Sequence, residues 1–125
     1  MATRRRLIQS IEARLAVEIG TITGHGALQV ALTYPSPYKV GMSSLGFQVM
    51  YRLINGHPDT VCERAFLPDD VEEWRRVGGP LITYESLRPV SNFHIIAFSL
   101  AYELELVGVL ECLKLAGIPV LAKDR

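Results

Sequence analysis

The stretch from Tyr34 to Gln48 reads YPSPYKVGMSSLGFQ and decides the fold, because it joins an apolar strand pattern to an amphipathic helix pattern. The strand pattern covers residues 29–34, and the helix pattern begins near Leu45. Two prolines, two glycines, three serines and two tyrosines crowd this corner. In an open α/β sheet, ligands collect at the carboxyl ends of strands, where helix N-termini also point. The stretch therefore predicts a recognition loop, although no residue in it indicates a particular reaction.

Strand and helix patterns alternate along the rest of the chain. Residues 4–17 predict a helix, and the glycine-rich residues 20–26 predict a linker. After the helix at 45–55, the predicted elements are a strand at 61–66, a helix opening at Pro68 and ending at Gly78, a short strand at 81–84, an apolar strand at 93–99, a helix at 102–116 and a last strand at 118–122.

This order predicts an α/β fold of the flavodoxin-like, doubly wound type. We expect a mainly parallel sheet of four or five strands with helices on both faces. The nearly continuous apolar run at 93–99 predicts a strand covered on both faces. The predicted core residues are Val30, Leu32, Val49, Leu53, Ile95, Ala97, Leu110, Leu113 and Val120.

The predicted organisation is an N-terminal helix and linker over residues 1–26, followed by one domain over residues 27–125. Because no helix follows the last predicted strand, we expect the domain to be cut from a longer protein. The exposed strand and apolar helix that such a cut leaves predict weak self-association of the chain as a homodimer.

Charge and cysteine usage exclude several classes of partner. Lysine and arginine number 13 against 13 aspartate and glutamate, so no nucleic acid or anionic membrane is predicted as a partner. The two cysteines, Cys62 and Cys112, are far apart and resemble buried reduced thiols. No secretory segment or apolar run of membrane-spanning length is present, which predicts a cytoplasmic protein.

Two motifs leave alternatives open. Gly41 and Gly46 have the spacing of a phosphate loop, but Phe47-Gln48 replaces its Lys-Ser/Thr, so we favour glycines that allow close packing over an anion site. Glu63 and Arg64 are adjacent in a strand and must point to opposite faces. They fit an ion pair near the strand end and a polar anchor at the carboxyl edge equally well.

The turn after the strand at 93–99 lies beside the Tyr34–Ser44 loop if the sheet order is 2-1-3-4, so the two would border one crevice. The predicted cofactor-binding residues are Tyr34, Ser36, Tyr38, Gly41, Met42, Ser43, Ser44, Gly46, Ser99, Tyr102 and Glu103. No catalytic residue and no metal ligand is predicted, since the three histidines and two cysteines lack the spacing of a zinc site.

Several separated motifs occur together in order. They are YKVGMSSLGFQ at 38–48, YRLIN at 51–55, CERAFLP at 62–68, FSLAYEL at 98–104 and LAGIP at 115–119. In this combination the chain resembles, from about Leu28 to Arg125, the N-terminal domain of a family of bacterial radical S-adenosylmethionine proteins.

The resemblance implies a Rossmann-like, cobalamin-binding-like accessory domain that precedes a catalytic barrel. The parent would be an enzyme using a [4Fe–4S] cluster and S-adenosylmethionine, and its catalytic radical SAM domain would be this chain's partner. The chain alone would not be an enzyme, because it lacks the Cys-x3-Cys-x2-Cys cluster motif. It also lacks the Asp-x-His-x-x-Gly of cobalamin domains with an axial histidine. Cobalamin, bound without that histidine, is the candidate cofactor, and a nucleotide or small anion is the alternative ligand.

Overall fold

A computed structural model describes residues 2–125 as an α/β domain around a parallel sheet. Its three strands, β1 (Leu28–Pro37), β2 (Thr60–Leu67) and β3 (Ile95–Phe98), lie in the order β2-β1-β3 and pair in parallel. The helices are α1 (Ala2–Val17), α2 (Tyr38–Met42), α3 (Leu45–Asn55), α4 (Val71–Arg76) and α5 (Leu106–Ala116). The predicted flavodoxin-like α/β class and the central order 2-1-3 are confirmed.

Local signals place the ends of the two long sheet-covering helices. Ser44 starts α3, because its hydroxyl accepts a hydrogen bond from the Phe47 N–H. Gly117 ends α5 with a φ of 72°, a left-handed conformation that glycine adopts without strain. Both boundaries agree with the sequence prediction.

Two apolar cores lie on opposite faces of the sheet, because side chains alternate along each strand. On the first face, Val30 and Leu32 of β1 pack with Ile11 of α1 and with Phe47 and Tyr51 of α3. The second face carries a core made of Ala31, Ala65, Trp74, Leu81, Val90, Cys112 and Leu115. The helices therefore cover both faces, as the doubly wound class requires.

The sheet is smaller than predicted. Residues 118–122 form no strand, and the chain after Gly117 turns through a bend and a short 3₁₀ helix at Ala122–Asp124. Residues 81–84 make only single antiparallel bridges, Ala65 with Thr83 and Ile82 with Pro89. The strand predicted at 93–99, with both faces covered, narrows to β3, which is an edge strand among the described residues and whose four residues are exposed or only partly buried. The prediction of four or five strands is wrong on this point, because apolar runs mark burial tendency but not a pairing partner.

Part of the predicted core is also wrong. Val30, Leu32 and Leu113 are buried, and Ala97 and Val120 are partly buried. Val49, Leu53, Ile95 and Leu110 are exposed. In α3 the aromatic pair Phe47 and Tyr51 faces the sheet instead of the aliphatic stripe, since the larger rings bury more apolar surface.

The helices of residues 2–125 are too short or too polar to cross a membrane.

Candidate functional site

At the carboxyl edge of the sheet, regular secondary structure takes up most of the predicted recognition loop. β1 runs on to Pro37, with a register shift against β2 between Tyr34 and Pro37, and the chain enters α2 at once. Some of the predicted site residues lie near Arg64 of β2, some lie near the turn that follows β3, and the others have local structural roles.

A buried ion cluster occupies the β2 side, and we call Glu18, Arg64 and Glu85 the Arg64 cluster. The Arg64 side chain is only 2% exposed. Its Nη2 donates to Glu18 Oε1 over 2.8 Å, and its Nε donates to Glu85 Oε2 over 2.6 Å. The Glu85 carboxylate also accepts the Arg64 backbone N–H at 2.8 Å. One cation thus pairs with two carboxylates that lie far apart in sequence.

Aromatic side chains close this cluster. The Tyr38 hydroxyl donates to Glu18, and the Tyr51 hydroxyl donates to Glu85 over 2.7 Å. Tyr51 also accepts the Ile22 N–H at 2.8 Å, which holds the predicted linker against α3. Met42 Sδ lies 3.6 Å from Arg64 Nη1. Tyr38 and Met42, predicted to bind a cofactor, therefore contact the Arg64 cluster.

The pKa values of the two carboxylates in the cluster are shifted in opposite directions. Burial alone would raise the pKa of Glu18, but hydrogen bonds from Arg64, Thr21 and Tyr38 outweigh burial and lower it. Burial raises the pKa of Glu85, and the charge of Arg64 offsets only part of that rise. Burial also raises the pKa of the Tyr38 and Tyr51 hydroxyls, so both remain proton donors at neutral pH.

Glu63 and Arg64 do point to opposite faces of the sheet. Of the two alternatives for them, an ion pair or a polar anchor at the carboxyl edge, the contacts favour ion pairing and hydrogen bonding within the fold. Glu63 accepts hydrogen bonds from the hydroxyls of Thr83 and Ser86 at 2.7 and 2.6 Å, on the face opposite Arg64. Each residue therefore has its own partners, and both are buried ion-pair or hydrogen-bond members of the fold. The partners Glu18 and Glu85 were missed, although a lone arginine in an apolar strand is a signal that a buried carboxylate must meet it.

A second group gathers between β1 and the turn after β3, and we call Tyr34, Ser99, Tyr102 and Glu105 the edge cluster. The Ser99 N–H donates to the Thr33 carbonyl at 2.9 Å, which fixes the turn beside β1. Burial and the neighbouring Glu105 carboxylate raise the pKa of Tyr34 to about 12, and Tyr102 lies near enough to contribute. The predicted juxtaposition of Tyr34 with Ser99 and Tyr102 is therefore present, whereas Glu103 is exposed.

Glu105 is a member of the edge cluster that sequence reasoning missed. It is 4% exposed, and its Oε1 accepts the Ala101 N–H at 2.6 Å. The Glu105 carboxylate also interacts with the Tyr34 hydroxyl, which contributes to the raised pKa of that tyrosine. Its Oε2 is buried and makes no hydrogen bond of full geometry among residues 2–125. The alternation Glu-Leu-Glu-Leu at 103–106 gave no sign that the second glutamate turns inward.

The other predicted residues have local structural roles. A side chain at Gly41 would meet the Phe66 ring at 2.4 Å, so the glycine permits close packing, as favoured. The Ser43 hydroxyl donates to the Lys39 carbonyl at 2.7 Å, and Ser44 caps α3. Ser36 is half-buried, and Gly46 is exposed with open space around it.

Histidines and cysteines lie away from this edge. His25, His57 and His94 each precede a strand, so all three lie at the amino end of the sheet; His94 Nδ1 accepts the Gln29 N–H at 3.0 Å. Cys62 and Cys112 are buried in the cores of opposite faces, and burial raises the pKa of each thiol to about 12. Within residues 2–125, no three His, Cys, Asp or Glu side chains come together as a metal site. This chain's own residues therefore fit neither an iron–sulfur cluster nor an axial histidine ligand at the carboxyl edge.

Comparison with known proteins identifies the family. Residues 46–125 match the family of the N-terminal domain of radical SAM proteins, and the chain belongs to that family. No curated protein and no solved structure matches the chain. The match includes β2, β3 and α5, and therefore Arg64, Glu85 and most of the edge cluster.

Proposed function

We propose that this chain is a non-catalytic accessory domain that docks on the catalytic radical SAM domain of its parent protein through β3 and α5. The observation that carries the proposal is the open edge of the sheet. Among residues 2–125, β3 pairs with β1 alone, and Ile95 is 45% exposed. On the opposite face of the sheet from the Ile95 side chain, α5 presents Leu106 at 53% and Val107 at 65% exposure.

Such a surface favours a partner. A free strand edge offers unpaired N–H and C=O groups, and exposed apolar side chains next to it give a partner surface to bury. A groove of about 560 Å³ lies next to the edge, with Ile96 and Phe98 of β3 and Val109 and Leu113 of α5 in its lining. Burying the groove and the strand edge together would give a partner both apolar contact and backbone hydrogen bonds.

Family membership and chain path support the catalytic domain as the occupant. Proteins of this family place the domain N-terminal to their radical SAM machinery. Ile118 and Arg125, which follow α5, line the same groove as β3. A covalently connected domain docks there at high effective concentration, so even a modest interface is occupied.

Amide hydrogen exchange tests this proposal. We compare the 125-residue chain with the natural polypeptide that joins it to its radical SAM domain. Exchange in β3 and the first turns of α5 should slow in the joined protein, while β1, which is paired on both sides, serves as the internal reference. Equal exchange of β3 and α5 in the two proteins would overturn the docking surface.

Ligand binding at the carboxyl edge is a second candidate function, favoured by the juxtaposition of Tyr34, Ser99 and Tyr102. For a nucleotide or small anion, the buried cation nearby, Arg64, is already paired with two carboxylates. Thermal-shift measurements with nucleotides test this candidate; a raised melting temperature that is lost in Ser99→Ala with Tyr102→Phe would support it.

Cobalamin fits this edge less well than the resemblance implies. The histidines lie at the other end of the sheet, and Phe66 fills the space beside Gly41. The Gly108 position of α5 lies against the Pro35 carbonyl, which closes the gap between the helix and the end of β1. We therefore expect the visible spectrum of hydroxocobalamin to stay unchanged when the chain is added; a shifted spectrum would restore cobalamin as the ligand.

A further inference from the structure

We infer that the outer face of α3 binds the start of α5 of a second copy of this chain, in a head-to-tail contact. The inference does not rest on the proposed function, and it concerns a helix face that no element of residues 2–125 covers. α3 turns Phe47 and Tyr51 towards the sheet, so its opposite side faces outward.

This outer side of α3 carries a row of apolar side chains. Leu45, Val49 and Leu53 recur every four residues, and residues at that spacing are neighbours on a helix surface. Leu45 is 73% exposed, Leu53 is 64% exposed, and Val49 between them is also exposed. Open space around Gly46 allows another chain to approach the row closely. An apolar patch of this kind indicates an interaction site.

Charge selects an acidic partner for this row. Residues 28–58 contain Lys39 and Arg52 but no aspartate or glutamate. Arg52 is exposed and lies three residues after Val49, so its guanidinium group borders the row. If α3 paired with its own copy about a twofold axis, two cationic surfaces would meet, and like charges disfavour that arrangement. The partner that fits is apolar at its centre and acidic at its rim.

The start of α5 has this complementary character. Residues 89–113 contain no lysine or arginine, and Glu103 is exposed at the entry to α5. Leu106 and Leu110 are exposed and lie four residues apart, with the exposed Val107 beside them. Rows with this spacing on two helices interdigitate when the helices cross at about 50°. The chain itself therefore presents both surfaces of one interface.

The two surfaces lie on opposite sides of the domain. α3 covers the core that contains Phe47, and α5 covers the core that contains Cys112. A contact between them is heterologous, so each copy in a pair keeps one free surface and further copies can add. Since the contact uses the exposed side of α5, a second copy and the catalytic domain would compete for that helix.

Light scattering on the 125-residue chain up to millimolar concentration tests the inference with two variants. The α3 variant is Leu45→Ser with Leu53→Ser, and the α5 variant is Leu106→Ser with Val107→Ser. The average mass of the unsubstituted chain should rise with concentration past that of a dimer. Each variant alone should associate at least about tenfold more weakly, because every contact contains one altered surface. An equal mixture should regain association and stop at a dimer, since each mixed pair has one intact contact.

Charge reversal provides a second, independent arm of the experiment. Arg52→Glu should weaken association by about three- to tenfold, and adding Glu103→Arg to the same chain should restore most of it. Arg5→Glu, at an exposed position on α1, is the matched control and should change association by less than about twofold.

The outcomes decide between a head-to-tail contact and its alternatives. A mixture of the two variants that stays monomeric, or an α3 variant that associates like the unsubstituted chain, would overturn the contact, as would an unsubstituted chain that stays monomeric throughout. Circular dichroism and urea midpoints check that the variants fold, and if the α3 variant does not, the charge reversal decides. The docking proposal is judged separately, by amide exchange in the joined protein.

Discussion

The β2 edge of the sheet is closed by hydrogen bonds within the chain, whereas the described residues leave the outer side of β3 unpaired. The Tyr84 N–H donates to the Arg64 carbonyl at 2.8 Å, and Glu85 accepts the Arg64 N–H, so residues 83–85 complete the outside of β2. β3 has β1 on one side, and the described residues leave its other side unpaired. The comparison suggests that one edge serves stability and the other serves assembly.

The same contrast appears in the placement of charge. Arg64 and Glu63 are buried with full sets of partners, so a change there costs folding energy. Glu105 on the β3 side carries a buried carboxylate with fewer partners, the Ala101 N–H and the Tyr34 hydroxyl, and with no cation paired to it among the described residues. Substitutions on the two edges should therefore separate stability from association.

The largest effect is expected at the Arg64 cluster. Arg64→Met would leave Glu18 and Glu85 buried without their cation, and breaking a buried pair in this way costs about 3–5 kcal/mol. Against a typical total of about 5–15 kcal/mol, most of the domain's stability would be lost. Urea unfolding monitored by circular dichroism gives the measurement.

Arg52→Met is the matched control, since Arg52 is exposed on α3 and should change stability by less than about 0.5 kcal/mol. If both variants unfolded at the same urea concentration, Arg64 would not hold the β2 edge together.

The next effect concerns how closely α5 packs on β1. A methyl group at Gly108 would lie 2.0 Å from the Pro35 carbonyl oxygen, so Gly108→Ala must move the helix or the strand end. Overpacking of this kind costs about 1–3 kcal/mol, although alanine is the better helix former. The free energy of unfolding from urea titrations measures this loss.

Gly46→Ala provides the comparison, because the nearest atom to its methyl group would be the Ser44 Oγ at 4.0 Å. That variant should gain a few tenths of a kcal/mol from helix propensity. Equal stabilisation by both substitutions would show that α5 does not press on β1.

The sequence predicted the two-sided parallel sheet, the bounds of α3 and the end of α5, because those depend on local signals such as the Ser44 cap, Gly117 and apolar periodicity. It missed α2 and placed the start of α5 at Tyr102 instead of Leu106. It failed for residues 118–122, whose apolar character fits a strand but whose pairing depends on a neighbour. The sequence analysis also predicted that the aliphatic stripe of α3 is buried, whereas Phe47 and Tyr51 are the residues that face the sheet. Amphipathicity alone does not indicate which side of this helix packs on the sheet.

The candidate site was predictable only where strand order or residues close in sequence determine it. The strand order brought Ser99 beside β1, as expected. The carboxylates of Glu18 and Glu85 reach Arg64 from a linker and a turn, 46 and 21 residues away in sequence, and no periodic pattern encodes such contacts. Glu105 was missed because only the fold shows which glutamate at the start of α5 is buried.

A smaller effect concerns pH and distinguishes the two carboxylates of the Arg64 cluster. The lowered pKa of Glu18 makes its contribution present above its ordinary value of 4.5 and lost as pH falls through the folded value. The raised pKa of Glu85 has the opposite sign: folding gains stability as pH falls through that value towards 4.5. Stability should therefore rise slightly from neutral pH towards about 4.5 and then fall.

Urea midpoints measured from neutral pH down to about pH 3 follow this balance. Glu85→Gln should remove the rise and keep the fall, whatever its midpoint at neutral pH. A rise that persists in Glu85→Gln would assign the effect to other groups.

The smallest change in stability, and the clearest change in association, is expected at the open edge. Leu106 and Val107 are exposed on α5, so replacing both with serine should alter the free energy of unfolding by less than about 0.5 kcal/mol per site. The same substitutions remove apolar surface beside the unpaired edge of β3, so any self-association of the chain through this surface should weaken. Light scattering over a range of concentrations measures this association. The matched control is Val17→Ser with Ile19→Ser, since these two positions at the end of α1 are still more exposed. Association that is lost only in the α5 variant would place the contact at the open edge. Equal association in both variants would show that the chain does not self-associate through the open edge. The contrast between the two edges would then concern stability alone.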